Sequence, residues 1–144
     1  MTSIGFDTRE AQQHWTDKAG AWVDRADAMA AMADRFNMPL LQALGLAQGH
    51  RILDLASGAG EPALSAGRIV GPQGFCVASD FVPAMLNGIA GRAGGERLAY
   101  AAADMQALPF ADASFDRISC RFGIMFVPDV PRALSEISRV LLPG

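Results

Sequence analysis

Four residues in this chain have types and spacing that suit ligand chemistry: Gly58, Gly60, Asp80 and Asp104. Gly58 and Gly60 follow the apolar run Ile52-Leu53-Asp54-Leu55 and precede Pro62-Ala63-Leu64. Glycines there let the backbone turn sharply and approach a ligand with no Cβ in the way. A strand, a glycine loop and a helix start make a nucleotide-type binding corner at the carboxyl end of a parallel strand. Asp80 lies twenty positions beyond Gly60, at the end of the next strand-like run. That spacing puts a carboxylate where it accepts hydrogen bonds from two ribose hydroxyls; the competing role is a cap for the helix that follows. Asp104 falls just past a third strand-like run and faces the same crevice, where its carboxylate can accept from an adenine amino group. A surface-loop aspartate is the alternative.

The elements that must hold these residues read off the apolar pattern. Trp15, Ala19, Trp22, Ala26, Met29 and Ala33 recur at helical spacing. Asn37-Met38-Pro39 is expected to break that helix, with Leu40, Leu41 and Leu44 on a second one. Strands are expected at 51–55, 75–78, 98–102 and 117–122, with helices over 63–70, 83–93 and 131–142 between and after them. Leu134, Ile137 and Leu141 would share the inward face of the last helix. The order predicts an α/β fold: a Rossmann-like, doubly wound parallel sheet with helices on both faces. Residues 1–50 are expected to form a helical lid or cap, and 51–144 the binding domain.

Composition narrows the function. The chain has 144 residues, is 51% hydrophobic and carries only 19% charged residues, which is the balance of a packed globular domain. A net charge of −3 with no basic stripe argues against a nucleic-acid surface. No apolar run approaches the roughly 20 residues of a membrane span. Cys76 and Cys120 lie in apolar strand runs and read as reduced core residues, from which a cytoplasmic location is expected. No cysteine–histidine cluster has metal-ligand spacing. His14, alone on a helix, reads as a solvated residue rather than a base.

The glycines alone leave two cofactor classes open. Gly58-x-Gly60-x-x-Ala63 also satisfies the loose dinucleotide fingerprint of an NAD(P)-binding oxidoreductase. Three features weigh against it. Pro62 removes an N–H from the helix end that would hold a pyrophosphate, no lysine or arginine lies in the loop, and Asp104 has no evident task there.

From Arg51 onward the sequence resembles the class I S-adenosylmethionine-dependent methyltransferases, and most nearly their ubiquinone and menaquinone biosynthesis branch. Five blocks carry the likeness in order: Leu53 to Gly60, Ser79 to Leu86, Ala103 to Phe110, Phe115 to Ile118 and Ala133 to Gly144. The resemblance implies S-adenosyl-L-methionine as cofactor and methyl transfer to a small-molecule acceptor by in-line displacement. It implies that Ala56, Ser57, Gly58 and Gly60 hold the methionine end, Asp80 the ribose, and Asp104 with Met105 the adenine. Phe81 and Met85 would flank the ring, and Arg121 sits where the family's fourth strand reaches the methyl site. Ala56 replaces the usual first glycine of the loop, and Ala59 stands where a threonine is common. No residue presents itself as a catalytic base. Trp15, Trp22 or Phe126 could face the sulfonium by cation–π contact, with core packing the alternative. The family's sheet has seven strands and this sequence supplies four, so the fold is expected to stop after the fourth strand and its helix. An inactive S-adenosylmethionine-binding module or fragment is then a second reading, and the exposed fourth-strand edge would favour a homo-oligomer.

Overall fold

A computed structural model describes residues 7–144; residues 1–6 of the expected N-terminal segment lie outside the described residues. Two helices come first, α1 (Thr8–Asp24) and α2 (Ala26–Ala43). The remaining chain alternates: β1 (Arg51–Leu55), α3 (Ala63–Val70), β2 (Phe75–Asp80), α4 (Pro83–Ala90), β3 (Leu98–Ala102), β4 (Arg117–Cys120) and α5 (Val130–Val140). A short 3₁₀ turn at Ile124–Phe126 precedes α5.

All four strands are parallel, in the order β3-β2-β1-β4. The central strands β1 and β2 are buried on both faces, which is why their sequences are nearly continuous apolar runs. Alternation sorts their side chains. Ile52, Cys76 and Ala78 join Leu64, Val70 and Ile89 in one core cluster. Leu53, Leu55 and Val77 join Phe115 and Val140 in another. Leu41 of α2 enters the first cluster, so the N-terminal helices are packed on the sheet and not appended to it. Burial pushes the Cys76 thiol well above its usual range, consistent with an inert core residue.

The structure corrects three expectations. The break in the N-terminal helices falls at Arg25, not at Asn37-Met38-Pro39, and Pro39 lies inside α2. Proline normally costs a helix one hydrogen bond and a steric clash. Here Leu41, 1% exposed, anchors the last turn in the core, and Leu44 N–H still reaches Leu40 O at 3.0 Å. The strand β4 ends at Cys120, so Arg121 and Phe122 lie past its tip; Phe122 adopts a left-handed φ of 57°. On α5, Ile137 packs on the core, but Leu134 is 53% exposed.

Beyond α5 the chain returns to Phe115, just ahead of β4. Leu142 N–H donates to Phe115 O at 2.8 Å, and Leu141 bridges Phe115 in parallel register. Glu136 and Arg139 of α5 clamp the β3–β4 connection. Glu136 accepts from Leu108 N–H at 2.7 Å, while Arg139 donates to the carbonyls of Leu108 and Phe110 at 2.9 and 2.7 Å. These hydrogen bonds hold the Glu136 carboxyl at about 2, the Arg139 guanidinium contributing most.

Candidate functional site

The glycine loop owes its shape to three positive backbone angles. Ala56 has φ 52°, Gly58 φ 53° and Gly60 φ 131°. The alanine therefore occupies a conformation that disfavours any residue with a Cβ. Ser57 locks the loop to both strands beneath it. Its Oγ donates to Asp54 O at 2.8 Å and accepts from Ser79 N–H at 3.1 Å, and its own N–H donates to Ser79 O at 3.0 Å.

The two glycines differ in surroundings. A Cβ at Gly58 would meet only Ala56 O, at 4.0 Å, and would otherwise enter open space. A Cβ at Gly60 would sit 2.9 Å from both Arg92 Nη1 and Leu64 Cδ1. Ala59 and Glu61 direct backbone N–H groups for which there is no acceptor among the described residues.

Asp80 binds the loop to the next helix. One carboxylate oxygen accepts from Gly58 N–H at 2.9 Å and the other from Val82 N–H at 2.9 Å. Val82, not Asp80, is the cap residue of α4, so the aspartate is a turn-forming and loop-holding group and not a helix cap. Burial raises the Asp80 carboxyl above its usual range, offset by these N–H donors. Each oxygen retains a further lone pair.

Asp104 is held by Gln106, whose Nε2 donates to both carboxylate oxygens at 3.1 and 3.0 Å. Gln106 is 8% exposed, and its Oε1 accepts from Asp129 N–H at 3.0 Å. Its Nε2 also reaches Thr8 Oγ1 at 3.4 Å. Sequence reading assigned this glutamine no role; a buried amide two positions past a candidate ligand was its only signal.

Asp54 is the second residue that sequence reading passed over. It is fully buried under the loop. Its Oδ1 accepts from Ser119 Oγ at 2.6 Å, and its Oδ2 has no partner. Burial pushes its carboxyl up to about 7, against the Ser119 hydrogen bond and the nearby Arg121 charge. The signal was a lone carboxylate inside an apolar strand.

One cavity of about 380 Å³ opens over the carboxyl ends of the strands, within the range of small-molecule sites. All ten residues singled out from sequence line it: Ala56, Ser57, Gly58, Gly60, Asp80, Phe81, Met85, Asp104, Met105 and Arg121. The facing wall comes from α1 and α2 and includes Trp15, Trp22, Met29, Met32 and Phe36. The two tryptophans line the cavity and also pack with Ala19, Val82 and Met85, as the core-packing alternative expects. Phe126 stands edge-on to Trp15, ring centroids 5.0 Å apart. His14 is not in the cavity wall; its ring meets Trp15 edge-on at 5.5 Å. Among the described residues no cluster of side chains could hold a metal ion, and no helix is long and apolar enough to cross a membrane.

Comparison with known proteins agrees with this geometry. The sequence profile of the methyltransferase domain family matches residues 53–144. The ubiquinone/menaquinone biosynthesis C-methyltransferase UbiE of Saccharophagus degradans is 39% identical over 109 residues, covering 69% of this chain and 42% of that protein. The arsenic(III) S-adenosylmethionine methyltransferase of Chlamydomonas reinhardtii superposes with a TM-score of 0.65 at 31% identity, over 69% of this chain and 37% of that one. The [4+2]-cyclase SpnF shares the fold, with a TM-score of 0.82 at 20% identity over 97% of this chain and 58% of that one. The chain thus spans less than half the length of the curated relative above. With the fold, the loop and these matches in agreement, the dinucleotide-dehydrogenase reading falls away, and the chain belongs to the class I S-adenosylmethionine-dependent methyltransferases, close to the UbiE branch.

Proposed function

We propose that this chain binds S-adenosylmethionine in the cavity and directs its methyl group to a small-molecule acceptor. The observation that carries the reading is convergence: ten residues from four separate strand ends line one cavity. The residues present fit the cofactor. Gly58 turns its missing side chain toward open space, and the Ala59 and Glu61 N–H groups are available to a carboxylate. Asp80 holds its carboxylate fixed with lone pairs to spare.

In this reading the Ala56–Gly60 loop takes the methionine end, Asp80 the ribose hydroxyls, and Asp104 with Met105 the adenine. Phe81 and Met85 flank the base, and Arg121 stands at the methyl end. The bound cofactor supplies a methyl already activated on a sulfonium, which departs leaving its bonding pair on sulfur. The protein's task is then to orient two reactants and exclude water. Residues 8–43 act as the lid: α1 and α2 close the cavity with an apolar wall.

Calorimetric titration of the 144-residue chain tests this. S-adenosylmethionine and S-adenosylhomocysteine are expected to bind, and NADH to bind far more weakly. Tighter binding of NADH would sink the reading.

A further inference from the structure

We propose that Gln106 sets the base preference of the cavity: it presents Asp104 as a hydrogen-bond acceptor with no donor of its own, and so selects a 6-aminopurine over a 6-oxopurine. The inference rests on the methyltransferase reading above and names the residue that positions the group facing the base.

Both residues line the cavity. Gln106 is 8% exposed, so its amide must find its partners within the protein. Those partners fix which way the amide points. Its Oε1 accepts from Asp129 N–H at 3.0 Å, and its Nε2 donates to Asp104 Oδ1 and Oδ2 at 3.1 and 3.0 Å. The reverse orientation would set a carbonyl against a carboxylate and an amine against an N–H, and all three contacts would turn repulsive. The backbone is held as firmly. Arg132 Nε donates to Gln106 O at 2.9 Å, and Asp129 Oδ1 in turn accepts from Arg132 N–H at 3.0 Å. The start of α5 thus leaves the amide one position.

The lone pairs of Asp104 carry the consequence. Its Oδ1 accepts from Gln106 N–H at 2.9 Å as well as from Nε2, which uses both lone pairs of that oxygen. Its Oδ2 accepts from Nε2 alone among the described residues and keeps one lone pair. The other Nε2 hydrogen is directed to Thr8 Oγ1, at 3.4 Å. Asp104 therefore offers a base one acceptor position and no donor. The exocyclic amine of a 6-aminopurine supplies the donor that this position needs. A 6-oxopurine sets an oxygen against a carboxylate oxygen instead, and both are left unpaired.

A glutamate at 106 would keep the shape and lose the donor. Two carboxylates about 3 Å apart do not both stay charged, and they share a proton. Such a pair carries an O–H that can serve an oxo group, besides a lone pair that can serve an amine. One atom, the amide nitrogen of Gln106, thus decides the polarity of this end of the cavity. Gln106 acts through Asp104 and is a positioning residue.

Calorimetry with S-adenosylhomocysteine and S-inosylhomocysteine provides the test, and the ratio of the two affinities is the readout. The unmodified chain is expected to favour the adenosyl compound roughly tenfold to hundredfold, the range for a hydrogen bond to a charged group. Gln106→Glu should bring the ratio to within about threefold of unity, in part by raising the affinity for the inosyl compound, a gain that a misfolded variant cannot give. Gln106→Met keeps the volume without the amide, and should lower the ratio at least about threefold through loss of adenosyl affinity. A glutamine with a purely structural role would weaken both compounds by the same factor, so an unchanged ratio in Gln106→Glu would overturn the proposal. If that variant binds neither compound, Gln106→Met decides by the same ratio. Equal binding of the two compounds by the unmodified chain would overturn the proposal while leaving the methyltransferase reading intact. If the unmodified chain binds neither, the methyltransferase reading fails and this assignment fails with it.

Discussion

The methyl group of Ala56 occupies the space that a side chain at Gly123 would need. A Cβ at Gly123 would fall inside contact distance of Ala56 Cβ and 3.1 Å from Cys120 Sγ. Gly123 itself has an ordinary φ of −108°, so packing and not backbone freedom demands the glycine. Ala56 carries the opposite problem, a Cβ at φ 52°. Ala56→Gly is therefore expected to stabilise the fold by up to about 1 kcal/mol, the left-handed penalty less glycine's entropy cost. Gly123→Ala should destabilise it by about 1–3 kcal/mol through overpacking. The double variant should recover part of that loss, and a double-mutant cycle from denaturant melts measures the coupling.

The loop glycines should separate binding from folding. Gly58→Val places a branched side chain in the open cavity, so S-adenosylhomocysteine binding should disappear in calorimetry. The fold should lose only the left-handed penalty of about 1–2 kcal/mol. Gly60→Ala should instead lower thermal stability more, because its Cβ would press on Arg92 and Leu64. Equal effects of the two on stability would contradict these environments.

Asp80 should matter with and without ligand. Its carboxylate accepts from Gly58 and Val82 N–H groups. Asp80→Ala is expected to cost roughly 1.5–3 kcal/mol in cofactor affinity, the range for hydrogen bonds to a charged group. It should also lower the melting temperature of the ligand-free protein, because both N–H groups lose their acceptor. Unchanged affinity with lowered stability would leave Asp80 a purely structural role.

Asp54 predicts an unusual pH dependence. Its folded pKa of about 7 lies above the unfolded 3.8. Its stabilising contribution is thus complete below pH 3.8 and is lost as pH rises toward 7, because the unfolded chain ionises first. The loss is on the order of 4 kcal/mol by linkage. Glu136 acts in the other direction: its lowered carboxyl stabilises the fold above its ordinary 4.5, and that contribution is lost as pH falls toward 2. Asp54→Asn should flatten the decline between pH 4 and 7 in chemical denaturation, and Glu136→Gln should flatten the acid limb. An Asp54→Asn profile as steep as the parent's would refute the assignment.

The sheet was legible because its strands are buried on both faces. Ile52 to Leu55 and Phe75 to Ala78 are apolar runs bounded by glycine and proline, and such runs have few alternatives. The parallel sheet with helices on both faces followed from crossover handedness. Ala56, Ser57, Phe81, Met85, Met105 and Arg121 came only through the family resemblance, while Gly58, Gly60, Asp80 and Asp104 were legible because they stand at or just past strand ends. The split at Arg25 was not, because no glycine or proline marks it and Pro39 marks a place that core packing overrides. Gln106 and Asp54 act through partners distant in sequence, Asp129 and Ser119, and no local pattern announces such pairs.

The parallel order of the four strands also makes the sheet a ruler. Neighbouring strands lie about 4.8 Å apart, so the tips of β3 and β4 are separated by about 14 Å. Asp104 stands just past one tip and Arg121 at the other. A ligand spanning them is measured by length before any single contact is made. In the proposed reading, a cofactor one group too short would leave a strand tip unserved, and one too long would present its reactive end to solvent. Selection among adenosyl compounds would in this sense be dimensional, set by a backbone spacing that no side-chain substitution can alter.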